Sequence, residues 1–199
     1  MTEYTATDTS GGDIFDKWDE LELNKNLLRG IYGYGFEHPS PIQKKAIIPM
    51  INRRDIIAQA QSGTGKTGAY SISCLQIIDS SIRETQAIRE LARQVQSVIS
   101  SFAVKLNTQI KLLVGGTSVR DDISELRDNI PHVIVGTPGR VYDMLRSDAI
   151  DYRNIKLLVL DEADEILSSG FKEQIYNIFQ YLNKTTQIGL FSATLPPEL

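Results

Sequence analysis

Residues 60–67 have the sequence Ala-Gln-Ser-Gly-Thr-Gly-Lys-Thr, and most of what can be predicted about this chain starts from them. An apolar run at residues 56–58 comes before, which predicts a buried strand, and apolar residues recur at helical spacing from 68 to 78. A glycine-rich turn between a strand and a helix is typical of a loop that wraps nucleotide phosphates, with Lys66 at the terminal phosphates and Thr67 on Mg²⁺. Ala60 stands where the motif has its first glycine, which leaves an ordinary flexible loop as the alternative.

The composition predicts one soluble globular domain. The chain has 199 residues, 41% of them hydrophobic and 23% charged, which is enough for one buried core and short for two. A net charge of −4 excludes a globally basic nucleic-acid binder, so any contact with nucleic acid must be local. The single Cys74 excludes an internal disulfide and favours a reducing compartment.

The first 14 residues predict a disordered tail. They are rich in Thr, Ser, Gly and acidic residues and lack the basic and apolar regions of a signal peptide. No apolar run in the sequence reaches membrane-spanning length. We therefore expect a cytoplasmic protein without membrane contact, with the nucleus as the alternative compartment.

Strand and helix patterns alternate after the phosphate loop. Strands without polar interruption, alternating with amphipathic helices, predict an α/β fold with a parallel sheet and helices on both faces, here over residues 15–199. In such sheets the ligand site lies at the carboxyl ends of the strands. The predicted strands cover residues 110–114, 132–135, 157–160 and 187–191, and the predicted helices cover residues 90–102, 119–127, 140–146 and 171–182.

Two adjacent carboxylates follow the apolar strand at residues 157–160. We expect Asp161 to be the acid that holds Mg²⁺ beside the phosphate loop, directly or through a water. Glu162 would orient or deprotonate the water that attacks the γ-phosphate. The alternative is a helix N-terminus at which these acids interact with the helix dipole.

A helix begins at residues 40–43, Ser-Pro-Ile-Gln. Ser40 suits the N-cap, Pro41 the first helical position and Gln43 the third, so Ser40 and Gln43 can form a capping box. From these residues alone the capping role is favoured, because this motif needs no ligand.

Residues 161–164, Asp-Glu-Ala-Asp, together with 60–67 and Ser-Ala-Thr at 192–194, resemble a DEAD-box RNA helicase, and the resemblance covers residues 18–199. It implies a RecA-like P-loop domain that uses ATP and Mg²⁺. Residues 35–43 resemble the adenine-reading motif of this family, so the resemblance reverses the preference above: Gln43 would read the adenine edge and Phe36 would pack on its ring. The nucleotide contacts implied in this way are Trp18, Phe36, Pro39, Gln43, Gln61, Ser62, Gly63, Thr64, Gly65, Lys66 and Thr67, with Lys66, Asp161 and Glu162 as catalytic residues and Thr67 and Asp161 at the metal.

The resemblance also implies an RNA-binding edge and a coupling turn. The RNA residues are expected to contact the backbone of single-stranded or structured RNA with little sequence preference, and Arg140 can pair with a phosphate. Asp164 would hydrogen-bond the turn at 192–194 and link the nucleotide state to domain closure. The residues implied are Arg89, Gly115, Gly116, Thr137, Pro138, Gly139 and Arg140 for RNA, and Asp164, Ser192, Ala193 and Thr194 for coupling.

Two departures from the family pattern stand out. The chain stops at residue 199, so we expect a fragment without the second RecA-like domain and its arginine finger. Before Arg89-Glu90-Leu91 the family has an apolar strand and then Pro-Thr, both missing here. A true deletion would remove a strand and leave buried backbone groups unpaired, so we interpret the gap as a few omitted residues.

The leading functional hypothesis is one half of an RNA helicase from the translation-initiation branch of the family. Its partners would be RNA, the second RecA-like domain and other initiation factors. The alternative is a docking module for translation or RNA-processing factors that hydrolyses no nucleotide. A GTPase is disfavoured, because residues 183–185, Asn-Lys-Thr, lack the acid of a guanine-reading Asn-Lys-x-Asp.

Overall fold

The structure is a computed structural model that describes residues 15–90, 93–168 and 170–194, with the backbone alone at 89, 90, 93, 94, 167 and 168. The predicted tail at 1–14 and the last five residues of the predicted domain lie outside the described residues. No helix within the described ranges is long and apolar enough to cross a membrane. The helices are α1 (Lys25–Gly33), α2 (Pro41–Ile51), α3 (Lys66–Ile77), α4 (Arg93–Ala103), α5 (Val119–Asp128), α6 (Pro138–Arg146), α7 (Ala163–Ser168) and α8 (Lys172–Tyr181), and the strands are β1 (Ile56–Gln59), β2 (Ala87–Glu90), β3 (Ile110–Leu113), β4 (Val133–Gly136), β5 (Leu157–Leu160) and β6 (Gln187–Ser192).

The six strands form one parallel sheet in the order β1-β6-β5-β2-β4-β3, which confirms the predicted fold class. Side chains alternate across it, as the two-residue period of a strand requires. In β5, Leu157 and Val159 pack with helices α1 to α4 on one face, whereas Leu158 and Leu160 pack with α5 to α8 on the other. Both faces are therefore covered, and the chain's polar clusters are left at the carboxyl edge.

Strand β2 corrects the expectation that the shortened segment loses a strand. Its backbone pairs on both sides: Ala87 lies opposite Val133 of β4 and Leu157 of β5. Gln86 extends the pairing, since its N–H donates to the His132 carbonyl at 2.9 Å and its carbonyl accepts from the Lys156 N–H at 2.7 Å. The apolar residues Ala87 and Ile88 and the two residues after them, 89 and 90, together make a strand of four residues. The sheet therefore has this central strand without any additional residues in the sequence.

His132 lies just before β4 and gives the fold a testable pH dependence. The side chain is 3% exposed, and its Nδ1 accepts a hydrogen bond from the Gln109 N–H at 2.9 Å. Burial lowers the pKa of the imidazole below its ordinary value of 6.5; the Ser80 backbone and the charge of Asp79 act to raise this pKa, and the charge of Arg83 acts to lower it. The unfolded chain therefore binds a proton more readily than the folded chain, and the free energy of unfolding should fall as the pH drops below 6.5.

Replacing His132 by Asn keeps an acceptor for the Gln109 N–H and removes the titration. We expect His132→Asn to have a smaller loss of unfolding free energy between about pH 7 and pH 5 than the parent, measured by urea denaturation. The matched control is His38→Asn, because His38 is the other histidine of the chain and is exposed. Equal slopes in the parent and His132→Asn would show that the buried imidazole does not set this dependence.

Candidate nucleotide and RNA site

The phosphate loop connects β1 to α3 at the carboxyl edge of the sheet. Gly63 and Gly65 have φ of 79° and 101°, left-handed values at which a side chain would be strained. The Thr64 hydroxyl closes the loop by donating to the Gln61 carbonyl at 2.7 Å. Gly65 is the N-cap of α3, so the loop leads into the N-terminus of a 12-residue helix. Loop and helix end together suit an anion such as a phosphate.

Lys66 is the clearest sign that a negatively charged ligand belongs here. The side chain is 5% exposed, and its Nζ has no hydrogen-bond partner among the described residues. The nearest carboxylate oxygen, Asp161 Oδ1, is 4.0 Å away. A buried amine without a partner is unfavourable for folding. A phosphate in the loop would supply the missing acceptors, so the residues present fit a nucleotide.

Asp161 and Glu162 follow β5 directly, opposite the phosphate loop. Asp161 is 6% exposed, and its Oδ1 accepts a hydrogen bond from the Glu162 N–H at 2.9 Å. Glu162 has φ of 51°, an uncommon value for a residue with a side chain. Burial raises the pKa of Glu162, with further contributions from Glu165 and the charge of Asp161. The two neighbouring acids therefore occupy different environments, and their separate roles at the metal and the water stay predictions.

The sequence motifs do not point to Tyr70, yet its hydroxyl lies in this site. It is 2.5 Å from Asp161 Oδ2 and 3.1 Å from Thr67 Oγ1. The available signal was its spacing, because a residue three positions after Thr67 lies on the same face of α3. An aromatic residue in an apolar helix is ordinarily interpreted as core.

The adenine-reading segment packs directly against the phosphate loop. Gln43 is 2% exposed and makes two contacts: its Oε1 accepts from the Ser40 N–H at 2.7 Å, and its Nε2 donates to the Gly65 carbonyl at 3.2 Å. The Phe36 ring is half-buried and lies close to Gly68, where an added Cβ would come within 2.7 Å of it. Both polar atoms of the Gln43 amide are thus bonded within the protein, which shows the capping contact, while reading of adenine by Gln43 stays a prediction.

Trp18 is predicted to contact the nucleotide, but its side chain is buried in the core. Its ring is fully buried, and its indole N–H donates to the Phe36 carbonyl at 3.0 Å. A ring without accessible surface cannot stack on a base, so Trp18 supports the backbone of Phe36 from behind. Pro39 is buried as well. Of the predicted aromatic contacts, Phe36 is the one whose ring is partly accessible.

Gln43→Ala separates the capping role from the base-reading role. The variant loses the Ser40 N–H contact, so we expect the free energy of unfolding to fall by about 0.5 to 2 kcal/mol. If Gln43 also reads adenine, the preference for ATP over GTP should narrow, because a base-specific hydrogen bond is lost. Calorimetric titration with both nucleotides measures this. A lower melting temperature with unchanged selectivity would assign Gln43 to capping alone.

Asp164 joins α7 to the end of β6. Its N–H donates to Ser192 Oγ at 3.2 Å, and its Oδ2 accepts from the Thr194 N–H at 3.1 Å and the Thr194 hydroxyl at 2.6 Å. Although burial acts to raise it, the hydrogen bonds from Thr194 and Ser192 lower the pKa of Asp164. Next in the turn, the Ala193 carbonyl accepts from Gln59 Nε2 at 3.3 Å, which ties the turn to β1.

The predicted RNA residues gather at the β4 and β3 end of the edge. Gly115 and Gly116 are exposed after β3, and the Thr137 N–H donates to the Leu113 carbonyl at 2.9 Å, which holds the start of α6 beside them. Pro138 and Gly139 form the first turn of α6. Arg89 lies in β2, and its side chain is outside the described residues.

Arg140 is a correction to the expected phosphate contact. Its side chain is 8% exposed and ion-paired with Asp122, and its Nη1 and Nη2 donate to the Thr117 hydroxyl and carbonyl, each at 2.8 Å. Asp122 belongs to α5, so this ion pair forms only when α5 and α6 pack together in the fold. The pair keeps the Arg140 guanidinium away from the surface. Arg140 therefore fixes the loop that carries Gly115 and Gly116 and does not itself present a free charge to RNA.

Comparison with known proteins agrees with this geometry. The family model described as DEAD/DEAH box helicase matches residues 40–199. An ATP-dependent RNA helicase eIF4A from Schizosaccharomyces pombe is 48% identical over 99% of this chain and 51% of its own length. An ATP-dependent RNA helicase FAL1 from Mycosarcoma maydis is 54% identical over 92% of this chain and 47% of its own. The chain thus spans about half the length of these curated relatives.

Solved structures show the same fold. A DEAD box protein from Methanococcus jannaschii superposes with a TM-score of 0.88 at 34% identity, covering 94% of this chain and 52% of that one. Dbp5 from S. cerevisiae, solved bound to RNA and ADP BeF3, gives a TM-score of 0.81 at 36% identity, over 92% of this chain and 47% of that one. From the family match, the relatives and the shared fold together, the chain belongs to the DEAD/DEAH box helicase family.

Proposed function

We propose that this chain is the nucleotide-binding RecA-like domain of an ATP-dependent RNA helicase of the eIF4A type. The observation that carries the proposal is the buried Lys66 amine, which lies between the phosphate loop and Asp161 without a hydrogen-bond partner among the described residues. The curated relatives are named ATP-dependent RNA helicases, which supports the same class of reaction here.

In this proposal each residue has a separate task. Lys66 and the loop N–H groups hold the phosphates, while Thr67 and Asp161 are the residues that would hold Mg²⁺. Bound there, Mg²⁺ would neutralise charge on the phosphate oxygens. Glu162 would accept a proton from the attacking water. Asp161 keeps its orientation in part through the Glu162 N–H, so the two acids are positioned by one backbone turn.

RNA would bind along the edge formed by residues 115–116 and 137–139. Exposed glycines allow a nucleic-acid backbone to approach closely, and contacts to phosphate and sugar carry no sequence information. Because Arg140 is ion-paired to Asp122, backbone N–H groups would supply most of the contacts, and the net acidic chain should bind RNA weakly by itself. The Dbp5 structure with RNA and ADP BeF3 supports a site of this kind on the shared fold.

Asp164 lies three residues after Asp161, the proposed metal ligand, and contacts Ser192 and Thr194. It would therefore couple the nucleotide state to the position of a second RecA-like domain. The eIF4A relatives support a role in translation initiation, for which the cytoplasm is the proposed compartment and other initiation factors the proposed partners. The FAL1 relative makes an RNA-processing role the alternative. Dbp5 from S. cerevisiae has been solved bound to Nup159 and Gle1, which supports docking of partner proteins as a further role.

The test is nucleotide selectivity in the chain as it stands. We expect ATP and ADP to bind, to displace a fluorescent ADP, and to do so more strongly with Mg²⁺ present, whereas GTP competes poorly. Nucleotide binding without measurable hydrolysis, even when RNA and a second RecA-like domain are supplied, would favour a docking module. Failure of ATP and ADP to bind would contradict the proposed function.

A further inference from the structure

Tyr70 lies between the two residues proposed to hold the metal. It is on α3, one turn after Thr67, and its side chain is fully buried. The ring packs edge-on against Phe191 of β6, with centroids 5.0 Å apart at an interplanar angle of 76°. Helix and sheet together therefore fix where the hydroxyl sits, at the edge where β5 delivers Asp161.

The hydroxyl contacts both sides of the site. It lies 2.5 Å from Asp161 Oδ2 and 3.1 Å from Thr67 Oγ1. An ionised carboxylate can only accept, so the single phenolic proton goes to Asp161. The phenolic oxygen then accepts from the Thr67 hydroxyl. In this arrangement the Thr67 hydroxyl proton points toward Tyr70, and the lone pairs of Thr67 Oγ1 remain available for a cation.

Asp161 is held at both oxygens in this way. Tyr70 fixes Oδ2, while the Glu162 N–H donates to Oδ1 at 2.9 Å and Lys66 Nζ lies 4.0 Å from the same oxygen. A carboxylate so constrained loses little freedom when it takes up a metal or its water, which is how an outer-shell hydrogen bond raises metal affinity.

We propose that Tyr70 is a positioning residue that sets the orientation of Thr67 and Asp161 for Mg²⁺ with bound nucleotide. The inference rests on the proposed function, because it needs a nucleotide and a cation at this site. The Tyr70 hydroxyl would act through its two partners and touch neither the phosphates nor the reacting atoms. Its effect should therefore be on the dependence of nucleotide binding on Mg²⁺.

The test is a titration of Mg²⁺ in the presence of fluorescent ADP, with the parent chain and Tyr70→Phe. Phe keeps the ring on Phe191 and removes one oxygen. We expect the half-saturating Mg²⁺ concentration to rise about tenfold, the factor associated with one hydrogen bond to a charged group. The affinity for ADP in EDTA should stay unchanged. Tyr176→Phe is the matched control, because Tyr176 is 64% exposed.

The possible outcomes are separable. An unchanged Mg²⁺ requirement in Tyr70→Phe overturns the inference and leaves the proposed function standing. A lower melting temperature with equal losses of affinity in Mg²⁺ and in EDTA also overturns it, because Tyr70 would then act through packing alone. If the parent binds no ADP, the proposed function fails first. Independently of the variant, the parent should show a slowly exchanging Tyr70 hydroxyl proton by NMR that shifts on adding Mg²⁺ with ADP, and its absence contradicts the hydrogen bonds.

Discussion

Lys66→Ala should weaken nucleotide binding by at least about 30-fold, while the fold is retained. Removing the charged partner of buried phosphate oxygens costs about 2 to 5 kcal/mol, or at least about 30-fold in affinity. Stability should not fall in parallel, because the Lys66 amine is buried without a hydrogen-bond partner among the described residues. Because buried Asp161 also loses the positive charge that lies 4.0 Å from its Oδ1, the two effects oppose each other, and we expect the melting temperature in the absence of nucleotide to stay close to that of the parent.

Calorimetric titration with ATP and a thermal melt measure both quantities for Lys66→Ala. Lys105→Ala is the matched control, because Lys105 is exposed in the turn after α4 and far along the chain from the phosphate loop. The control should bind ATP as the parent does. ATP binding by Lys66→Ala with the affinity of the parent would remove the residue from the site.

Glu162→Gln should separate binding from turnover. The amide keeps the shape of the side chain but accepts a proton poorly, so we expect hydrolysis to fall by about 10²- to 10⁴-fold, the usual contribution of a general base. ATP binding should persist, since Lys66 and Asp161 are unchanged. The variant should be at least as stable as the parent, because it loses a carboxylate that lies beside Asp161 and Glu165.

Turnover of Glu162→Gln is best measured with saturating RNA after joining this chain to the part of the S. pombe relative that it does not cover. Glu173→Gln, an exposed acid in the first turn of α8, is the control for a change of one charge. If hydrolysis continues at the rate of the parent, Glu162 has no part in the chemistry.

The strands with uninterrupted apolar runs can be predicted from the sequence. Two elements, β2 and α7, are harder to predict, because each is short and has few apolar residues. β5 has its predicted bounds and β4 lies one residue from them, because buried parallel strands are apolar without interruption. β2 has only Ala87 and Ile88 as apolar residues and was expected to be missing. α7, with six residues, is too short to show a helical period, and the sequence offers its N-terminus only as the alternative interpretation of the acids at 161–164.

For the site, sequence motifs predict which residues gather at the carboxyl edge but not how each side chain is held. The phosphate loop, Asp161 and the Asp164 contacts with Thr194 lie together as expected, because parallel strands end at one edge. The burial of Arg140 depends on Asp122 of another helix, and the contact of Tyr70 depends on packing between α3 and the sheet. Such contacts join residues distant in sequence, and no local pattern records them.

ATP hydrolysis with and without RNA, before and after the second domain is supplied, tests the central claim most directly. By itself the chain should hydrolyse ATP only feebly, with or without single-stranded RNA, because the arginine finger expected from a second RecA-like domain is worth about 10³- to 10⁵-fold in related P-loop enzymes. Supplying that domain should produce RNA-stimulated hydrolysis that Lys66→Ala abolishes. Vigorous RNA-stimulated hydrolysis or duplex separation by the 199-residue chain alone, or no stimulation after the domain is added, would contradict this account.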